Sequence, residues 1–237
     1  MAASTPERAG MAAVPRRRRA RLLRDNGLTT ALLLLFAGSL LGQWASGWHV
    51  RNAMLAEEGQ APIGMIAYLA DPAFLSALFE NWESEFLQMS AYVVLTAMLI
   101  QRGSAESRDP DAPPRDRNLA VQALKPGAPA ILSWGRAWRW FYARSLGIVL
   151  FTLFIASFVL HAYYSAAAAA QEAAEKGAAV RPLIAYLGAA ELWFESFQNW
   201  QSEFLSTAVL AVLSIFLRQR ESPESKPVAA PHAQTGA

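Results

Sequence analysis

The stretch FENWESEFL, from Phe79 to Leu87, returns as FQNWQSEFL from Phe197 to Leu205. The two copies lie about 118 residues apart, and the same shift aligns Ala67-Tyr68-Leu69 with Ala185-Tyr186-Leu187. Similarity at one fixed spacing along a chain indicates an internal repeat. The sequence therefore predicts one module that occurs twice.

The composition favours a membrane protein. Hydrophobic residues make up 54% of the 237 residues and charged residues 17%, which is more apolar than an average soluble domain. Cysteine is absent, which excludes disulfides, thiolate metal sites and cysteine nucleophiles. The three histidines are too few to suggest a zinc or iron site. We therefore expect neither a cofactor nor a metal centre.

Each copy contains two apolar segments of membrane-spanning length. They cover about residues 28–48 and 82–100 in the first copy, and about 146–164 and 200–217 in the second. As helices, such segments measure about 27 to 31 Å, which matches a hydrocarbon core. The sequence thus predicts an all-α integral membrane protein with four transmembrane helices, arranged as two parallel two-helix repeats.

The first apolar segment has a second interpretation, as a signal peptide. A basic start at Arg16-Arg17-Arg18-Arg19, a leucine-rich centre and the small residues Ala45-Ser46-Gly47 resemble a cleavable leader. The second copy carries an equivalent segment, Leu146 to Tyr164, deep inside the chain. Because a signal peptide does not occur there, the repeat favours a membrane span in both places.

The other boundaries follow from polarity and proline content. We expect a disordered basic tail at 1–20, the first repeat at 21–107, a cytoplasmic linker at 108–130, the second repeat at 131–225 and a disordered tail at 226–237. Asp71-Pro72 offers an N-cap and a first-turn proline, so a helix should begin near Pro72. Interfacial helices are expected before the motif and around Trp134, and the polar connection Ser165–Ala190 should contain a short helix.

Basic residues concentrate on one side of the four-span arrangement. Residues 49–85 carry one Arg against about six acids, whereas the N-terminal block, the linker region and the C-terminal ending are rich in Arg and Lys. By the positive-inside rule, both termini and the linker are cytoplasmic. The aromatic and basic residues around Trp134 suit anionic lipid headgroups. A single-stranded nucleic acid is the other ligand for such a pattern, but the membrane span that follows at once disfavours it.

Polar side chains recur at helical spacing within the motif. Asn81, Glu85, Gln88 and Tyr92 share one helix face, and the second copy repeats part of this pattern. By depth below the outer boundary, six side chains are expected to meet near the axis between the repeats: Asn81, Glu85, Asn199, Glu203, Gln43 and His161. One interpretation is a cation or proton site in which His161 titrates. The other is that these groups lie among headgroups and specify helix pairing.

Four segments resemble a family of uncharacterised bacterial membrane proteins classed only as a domain of unknown function. They are ENWESEFLQ (Glu80–Gln88), QNWQSEFL (Gln198–Leu205), RQRESPESK (Arg218–Lys226) and RLLRDNGL (Arg21–Leu28). The resemblance extends over residues 20–230 and implies a cytoplasmic-membrane protein without an assigned activity, cofactor or catalytic residue. This chain differs from the family's usual outer loop in its alanine run, Ala166–Ala170.

No motif for a specific reaction is present. The sequence lacks a phosphate-binding glycine loop, a nucleophile elbow and a metalloprotease helix. We therefore expect a non-enzymatic structural or accessory protein of the bacterial inner membrane, which can associate with a second copy of itself. The alternative is a small ion or proton channel or transporter that uses the paired glutamates Glu85 and Glu203. An enzyme acting on lipid headgroups is a third and weaker alternative.

Overall fold

The computed structural model describes residues 14–236, which form helices and turns without a β-strand. The α-helices are α1 (Val14–Glu57), α2 (Pro72–Met98), α3 (Leu119–Gln122), α4 (Arg136–Tyr142), α5 (Ser145–Glu175), α6 (Leu183–Tyr186) and α7 (Ala190–Phe216). Short 3-10 turns occur at Ala67–Ala70 and Ala130–Ser133. The all-α class predicted from the sequence is confirmed. The chain divides into two compact units, one ending at Ala70 and the other beginning at Asp71.

In the first unit, the chain after α1 folds back along that helix. The helix is interrupted at Asn26, whose φ of −132° and ψ of 21° are not helical. Further along, the indole N–H of Trp48 donates to the carbonyl of Ile63 at 2.8 Å. The Asn52 side chain donates to the Ile63 carbonyl and accepts from the Ile63 N–H. A Cβ at Gly47 would lie 2.5 Å from the Tyr68 hydroxyl, so only glycine allows Tyr68 this close approach.

Residues 14–20 and 226–236, expected to be disordered, have defined structure. Helix α1 begins at Val14, so residues 14–20 are helical, and residues 1–13 lie outside the described part of the chain. Residues 226–236 pack against the chain that leaves α2. The Lys226 ammonium group is buried and donates to the carbonyls of Gly103, His232 (2.9 Å) and Gln234 (3.0 Å). A buried charge needs such partners, and these contacts order the C-terminal segment.

Helices α2 and α7 have matching bounds. Asp71 caps α2 as predicted, because its carboxylate accepts from the Ala73 N–H at 2.9 Å and Pro72 occupies the first turn. Each helix has 27 residues, and both ends of α7 lie 118 residues after the corresponding ends of α2. The same interval separates the last residues of α1 and α5, Glu57 and Glu175. The bounds of α2 and α7 and the C-terminal ends of α1 and α5 therefore follow the spacing of the repeated sequence.

Helix α5 extends beyond the apolar segment at 146–164 from which a membrane span is predicted. Ala166–Ala170 was expected in a polar connection but continues the helix to Glu175, because alanine has the highest helix propensity. The short helix expected in this connection is α6. The linker at 108–130 contains turns and α3, and none of its residues is buried.

The second unit is organised around α2. Helix α5 packs along α2, and α7 also packs against α2. A small apolar core joins α5 to α6 and the start of α7, and it consists of Ala162, Ala166, Tyr186, Ala189 and Leu192. Alanine at two successive turns of α5 lets its neighbours approach closely, which positions the polar side chains on the same face.

Within residues 14–236, two helices could cross a membrane by length and composition. They are the Arg24–Glu57 part of α1, with mean hydropathy 1.5, and α5, with mean hydropathy 2.1. Large apolar side chains on both are exposed, for example Leu34 at 69% and Leu146 at 62%, as expected of surfaces that lipid would cover. Helices α2 and α7 are also long enough, but each carries three glutamates.

Candidate functional site

His161 connects three helices of the second unit. It lies on α5 and is fully buried, as is Glu83 on α2. Its Nδ1 lies 2.6 Å from Glu83 Oε2, and its Nε2 lies 3.2 Å from an oxygen of Glu195 on α7. One imidazole therefore binds carboxylates from both neighbouring helices. We call Glu83, His161 and Glu195 the His161 cluster.

Hydroxyl groups from α5 and α6 complete one side of the cluster. Ser165, one turn after His161, donates to Glu195 Oε2 at 2.9 Å. Its oxygen also lies 2.8 Å from the Tyr186 hydroxyl, which therefore donates to Ser165. Burial raises the pKa of the Tyr186 phenol, so this donor keeps its proton.

The other oxygen of Glu83 binds an indole of the repeated motif. The N–H of Trp200 donates to Glu83 Oε1 at 2.8 Å. Phe154 and Phe197 lie edge-on to the Trp200 ring, with centroids 6.1 and 5.3 Å away. Both carboxylate oxygens are thus used, and aromatic rings separate this side of the cluster from water.

The hydrogen-bond geometry determines the number of protons in the His161 cluster. A neutral imidazole carries one N–H and therefore donates from only one nitrogen. Because both nitrogens of His161 contact carboxylate oxygens, the cluster contains one more proton, either on the imidazole or on a glutamate. Its three ionisable side chains then carry a net charge of about −1.

A second carboxylate contact lies next to the cluster. The Asn199 amide, one turn after Glu195 on α7, donates to Glu80 Oε1. Glu80 is one turn before Glu83 on α2 and is half-buried. The motif residues of α7, Asn199 and Trp200, thus bind two successive carboxylates of α2.

The structure brings together only part of the predicted polar set. Asn199 lies beside the His161 cluster, but Asn81 is exposed and donates to the Ala77 carbonyl of its own helix. Glu85 and Glu203 interact electrostatically with each other rather than with His161. Glu85 is two residues after Glu83, so it lies about 200° around α2 and points away from α5. The remaining predicted member, Gln43, lies on α1 in the first unit.

The sequence interpretation missed Glu83, Glu195, Ser165 and Trp200. It selected Glu85 and Glu203, the acids that both copies share, whereas the three residues of the His161 cluster occupy positions at which the copies differ. The positions 118 residues from Glu83, His161 and Glu195 hold Gln201, Gln43 and Ala77. The change from ENWES to QNWQS within the motif was therefore the available signal.

The described residues, 14–236, contain no group of three His, Cys, Asp or Glu side chains placed to hold a metal ion. In the His161 cluster, each ring nitrogen faces a carboxylate rather than a common central point. The lone pairs are used in hydrogen bonds between the side chains. This arrangement can bind and exchange a proton and can connect helices.

The fold and the site define an all-helical protein with helices of membrane-spanning length and a Glu–His–Glu cluster around a buried imidazole. A family model described as domain of unknown function DUF6766 matches residues 19–237, so the chain belongs to that family. This confirms the predicted resemblance to a family classed as a domain of unknown function. No curated protein and no solved structure matches the chain.

Proposed function

We propose that the chain is a four-span protein of the bacterial cytoplasmic membrane, built as two parallel two-helix repeats with both termini and the linker at 108–130 in the cytoplasm. The common interval of 118 residues between helix bounds supports two copies of one unit. Helices of 27 residues measure about 40 Å, which exceeds the thickness of a hydrocarbon core. The glutamates in the first half of α2 and α7 then lie towards the outer surface.

Within this protein, the His161 cluster serves as a clamp that holds α2, α5 and α7 together, and the function is structural or accessory rather than enzymatic. The observation that carries this proposal is the contact of one fully buried imidazole with carboxylates from two other helices. Ionisable groups in a membrane cost free energy unless they are paired. Here they find their partners only when the three helices are assembled.

A proton or cation channel is the second candidate, and the contacts between α2 and α7 favour it. Two hydrogen-bonded pairs join the helices, Glu80 with Asn199 and Gln88 with Thr207. Between them along the chain lie Glu85 and Glu203, whose carboxylates repel each other electrostatically. From residue 80 to 88 these pairs extend over about 12 Å of helix. Such a line of groups offers successive sites for a proton or a small cation.

Flux and stability measured on the same liposomes separate the two candidates. Purified protein is reconstituted with an internal pH dye, and a potassium diffusion potential is applied with valinomycin. The clamp predicts no proton flux above empty liposomes and a lower melting temperature for His161→Leu. A channel predicts a flux that is lost in Glu85→Gln with Glu203→Gln, while the melting temperature is retained. A wild-type flux would overturn a purely structural role.

Anionic lipid is the partner that we propose at the cytoplasmic face. Helix α4 exposes Trp138 and Phe141, and the Arg144 guanidinium lies 4.7 Å from the centre of the Trp140 ring. Aromatic and cationic groups together suit a headgroup layer. The purified protein in detergent should retain less added phosphatidylglycerol in Arg136→Gln with Arg139→Gln than in wild type, as counted by native mass spectrometry. A homo-oligomer in the membrane is a further proposal that native mass spectrometry would test.

A further inference from the structure

The turn that follows α2 and the turn that follows α7 have the same hydrogen bonds. In each turn, the N–H of the first residue donates to the last serine, and the glutamate N–H donates to the other serine. The bonds are Gln101 to Ser107 (3.0 Å) and Glu106 to Ser104 (3.2 Å) after α2, and Gln219 to Ser225 (2.9 Å) and Glu224 to Ser222 (3.3 Å) after α7. The repeated segment Gln-Arg-x-Ser-x-Glu-Ser therefore places Glu106 and Glu224 at equivalent positions of the two copies.

These two glutamates are in contact. The Glu106 carboxyl hydrogen-bonds to the Glu224 carboxyl, and Glu106 Oε2 also accepts from the Tyr92 hydroxyl at 3.1 Å. Glu106 Oε1 is buried, and no N–H or O–H group of residues 14–236 donates to it. An ionised carboxylate only accepts hydrogen bonds, so two carboxylates cannot hydrogen-bond to each other. The contact between Glu106 and Glu224 therefore requires one proton on the pair.

No cation takes the place of this proton. Within the described residues, neither glutamate forms an ion pair with Lys, Arg or His. Arg218 and Lys226, which flank the second turn, donate to backbone carbonyls instead. Tyr92 on α2 is the other titratable group that faces Glu106, and the α7 residues that line the cavity beside it are apolar or threonine. The two carboxyls therefore depend on their shared proton to stay together.

The pair lies where the turn after α2 meets α7 and the C-terminal segment. The Ser104 hydroxyl lies 2.9 Å from the Ser214 hydroxyl of α7. The Gly103 N–H donates to the Thr235 hydroxyl, and the Gly236 N–H donates to the Ser104 carbonyl, both at 2.9 Å. These hydrogen bonds join uncharged groups, whereas two carboxylates in contact repel each other. A second negative charge on the pair would therefore oppose the docking of this turn.

We propose that Glu106 and Glu224 share one proton and form a pH-sensitive latch between the two copies. While the proton is present, the turn after α2 stays docked on α7 and on the C-terminal segment. Loss of the proton leaves two adjacent carboxylates, and their repulsion releases the turn. The latch responds to the pH of the compartment that these turns face. That this compartment is the cytoplasm rests on the proposed topology, whereas the shared proton does not.

The direction of the pH response follows from the pKa of Glu106. Burial, and then the hydrogen bond with Glu224, raises this pKa from 4.5 to about 7. Because a released carboxyl in water titrates near its ordinary value, the proton binds more tightly to the closed latch and stabilises it. The latch is therefore closed at pH 6 and opens as the pH rises through about 7.

Infrared spectroscopy of the full-length protein in nanodiscs detects the shared proton, because protonated and ionised carboxyls absorb at different frequencies. The spectrum of the double variant Glu106→Gln with Glu224→Gln is subtracted from that of wild type. We expect a protonated-carboxyl band at pH 6 that falls by half near pH 7. Glu224→Gln alone should lose the same band. Glu221→Gln, at an exposed position of the second turn, should keep it.

Hydrogen–deuterium exchange of the same samples measures release of the turn. After correction for the intrinsic effect of pH on exchange, wild-type peptides covering 101–107 and 227–236 should exchange about tenfold faster at pH 8 than at pH 6, because one pH unit above the pKa shifts the proton equilibrium tenfold. In the double glutamine variant, the two amides can hydrogen-bond without titrating. Its corrected exchange should therefore be equal at the two pH values, whereas Glu221→Gln should behave as wild type.

Two results would overturn the proposal. The first is the absence, at pH 6, of a protonated-carboxyl band that depends on Glu106 and Glu224, because then the two groups share no proton. The second is equal corrected exchange of wild type at pH 6 and pH 8, because then the proton does not control docking of the turn. The exchange comparison uses wild type alone, so it decides the proposal even where a variant fails to fold. Neither result depends on the number of membrane spans.

Discussion

His161 gains its partners from two helices that are distant in sequence, so the members of its cluster depend on one another. Glu83 has zero exposure, and among the described residues its hydrogen-bond partners are the His161 imidazole and the uncharged Trp200 indole. Glu195 is less dependent, because its side chain is 36% exposed and Ser165 also donates to it. Loss of His161 should therefore destabilise the fold mainly because the buried Glu83 carboxylate loses its partner.

His161→Leu should lower the free energy of unfolding by about 3 kcal/mol, because it leaves the Glu83 carboxylate buried beside an apolar side chain. Thermal unfolding of the purified protein in a mild detergent measures this change. His49→Leu is the matched control at an exposed histidine and should change stability by less than about 0.5 kcal/mol. Equal effects of the two variants would contradict a clamp at His161.

At Glu106, stability should depend on pH. Burial raises its pKa from 4.5 to about 7, so between these values the folded chain binds more protons than the unfolded chain. The contribution of this group is fully present below pH 4.5 and is lost as the pH rises through 7. Melting temperatures from pH 5 to 8 should therefore fall less in Glu106→Gln than in wild type. Parallel curves for the two proteins would refute this linkage.

At the scale of helices, α2 forms the contacts that hold the second unit together. It packs along α5 and against α7, and its side chains supply the acceptors for His161 and Trp200. Halfway along, Gln88 donates to Thr207 of α7. A crosslink between positions 88 and 207 would therefore test whether α2 and α7 are in contact in the membrane.

Cysteines introduced by Gln88→Cys and Thr207→Cys should be joined rapidly by a short bifunctional thiol reagent, because the Gln88 amide reaches Thr207 and the reagent replaces the length that the amide provides. The natural chain has no cysteine, so the product is unambiguous on a gel, and dilution of the protein distinguishes intramolecular from intermolecular bonds. The control pairs Gln88→Cys with Ser202→Cys, at an exposed position of α7. Slow crosslinking of both pairs would argue against the α2–α7 packing.

The C-terminal segment is a second element whose order depends on one side chain. Lys226 is 1% exposed and donates to carbonyls on both sides of the contact. Lys226→Leu should increase hydrogen–deuterium exchange over residues 227–236, because the carbonyls lose their shared donor. Lys176→Leu, at an exposed lysine, is the control. Unchanged exchange would show that other contacts suffice to order the segment.

At the scale of the whole molecule, the proposed topology predicts which surface each connection reaches. Residues 49–85, around the connection after α1, carry one Arg against six acids, and residues 166–203, around the connection after α5, carry one Lys and one Arg against five acids, whereas the linker is richer in arginine. By the positive-inside rule, the first two face outward and the linker faces the cytoplasm. This assignment requires an even number of spans in each repeat.

Labelling with a membrane-impermeant maleimide tests this assignment in intact cells. Glu58→Cys, after α1, should react from outside, whereas Asp111→Cys, in the linker, should react only after the membrane is permeabilised. Both positions are exposed in the structure, so access depends on the membrane alone. Labelling of both positions from the same side would rule out four spans with a cytoplasmic linker.

The sequence by itself determined the helical class, the position of α2 and the spacing between the copies. These are local properties, since apolar runs, the Asp71-Pro72 cap and the repeated motif act over a few turns of chain. Only the tertiary structure decided which glutamates bind His161, because Glu83 and Glu195 lie 78 and 34 residues away from it. Their meeting depends on the rotation of each helix about its axis, which is set by packing around Ala162, Ala166 and neighbouring side chains rather than by sequence spacing.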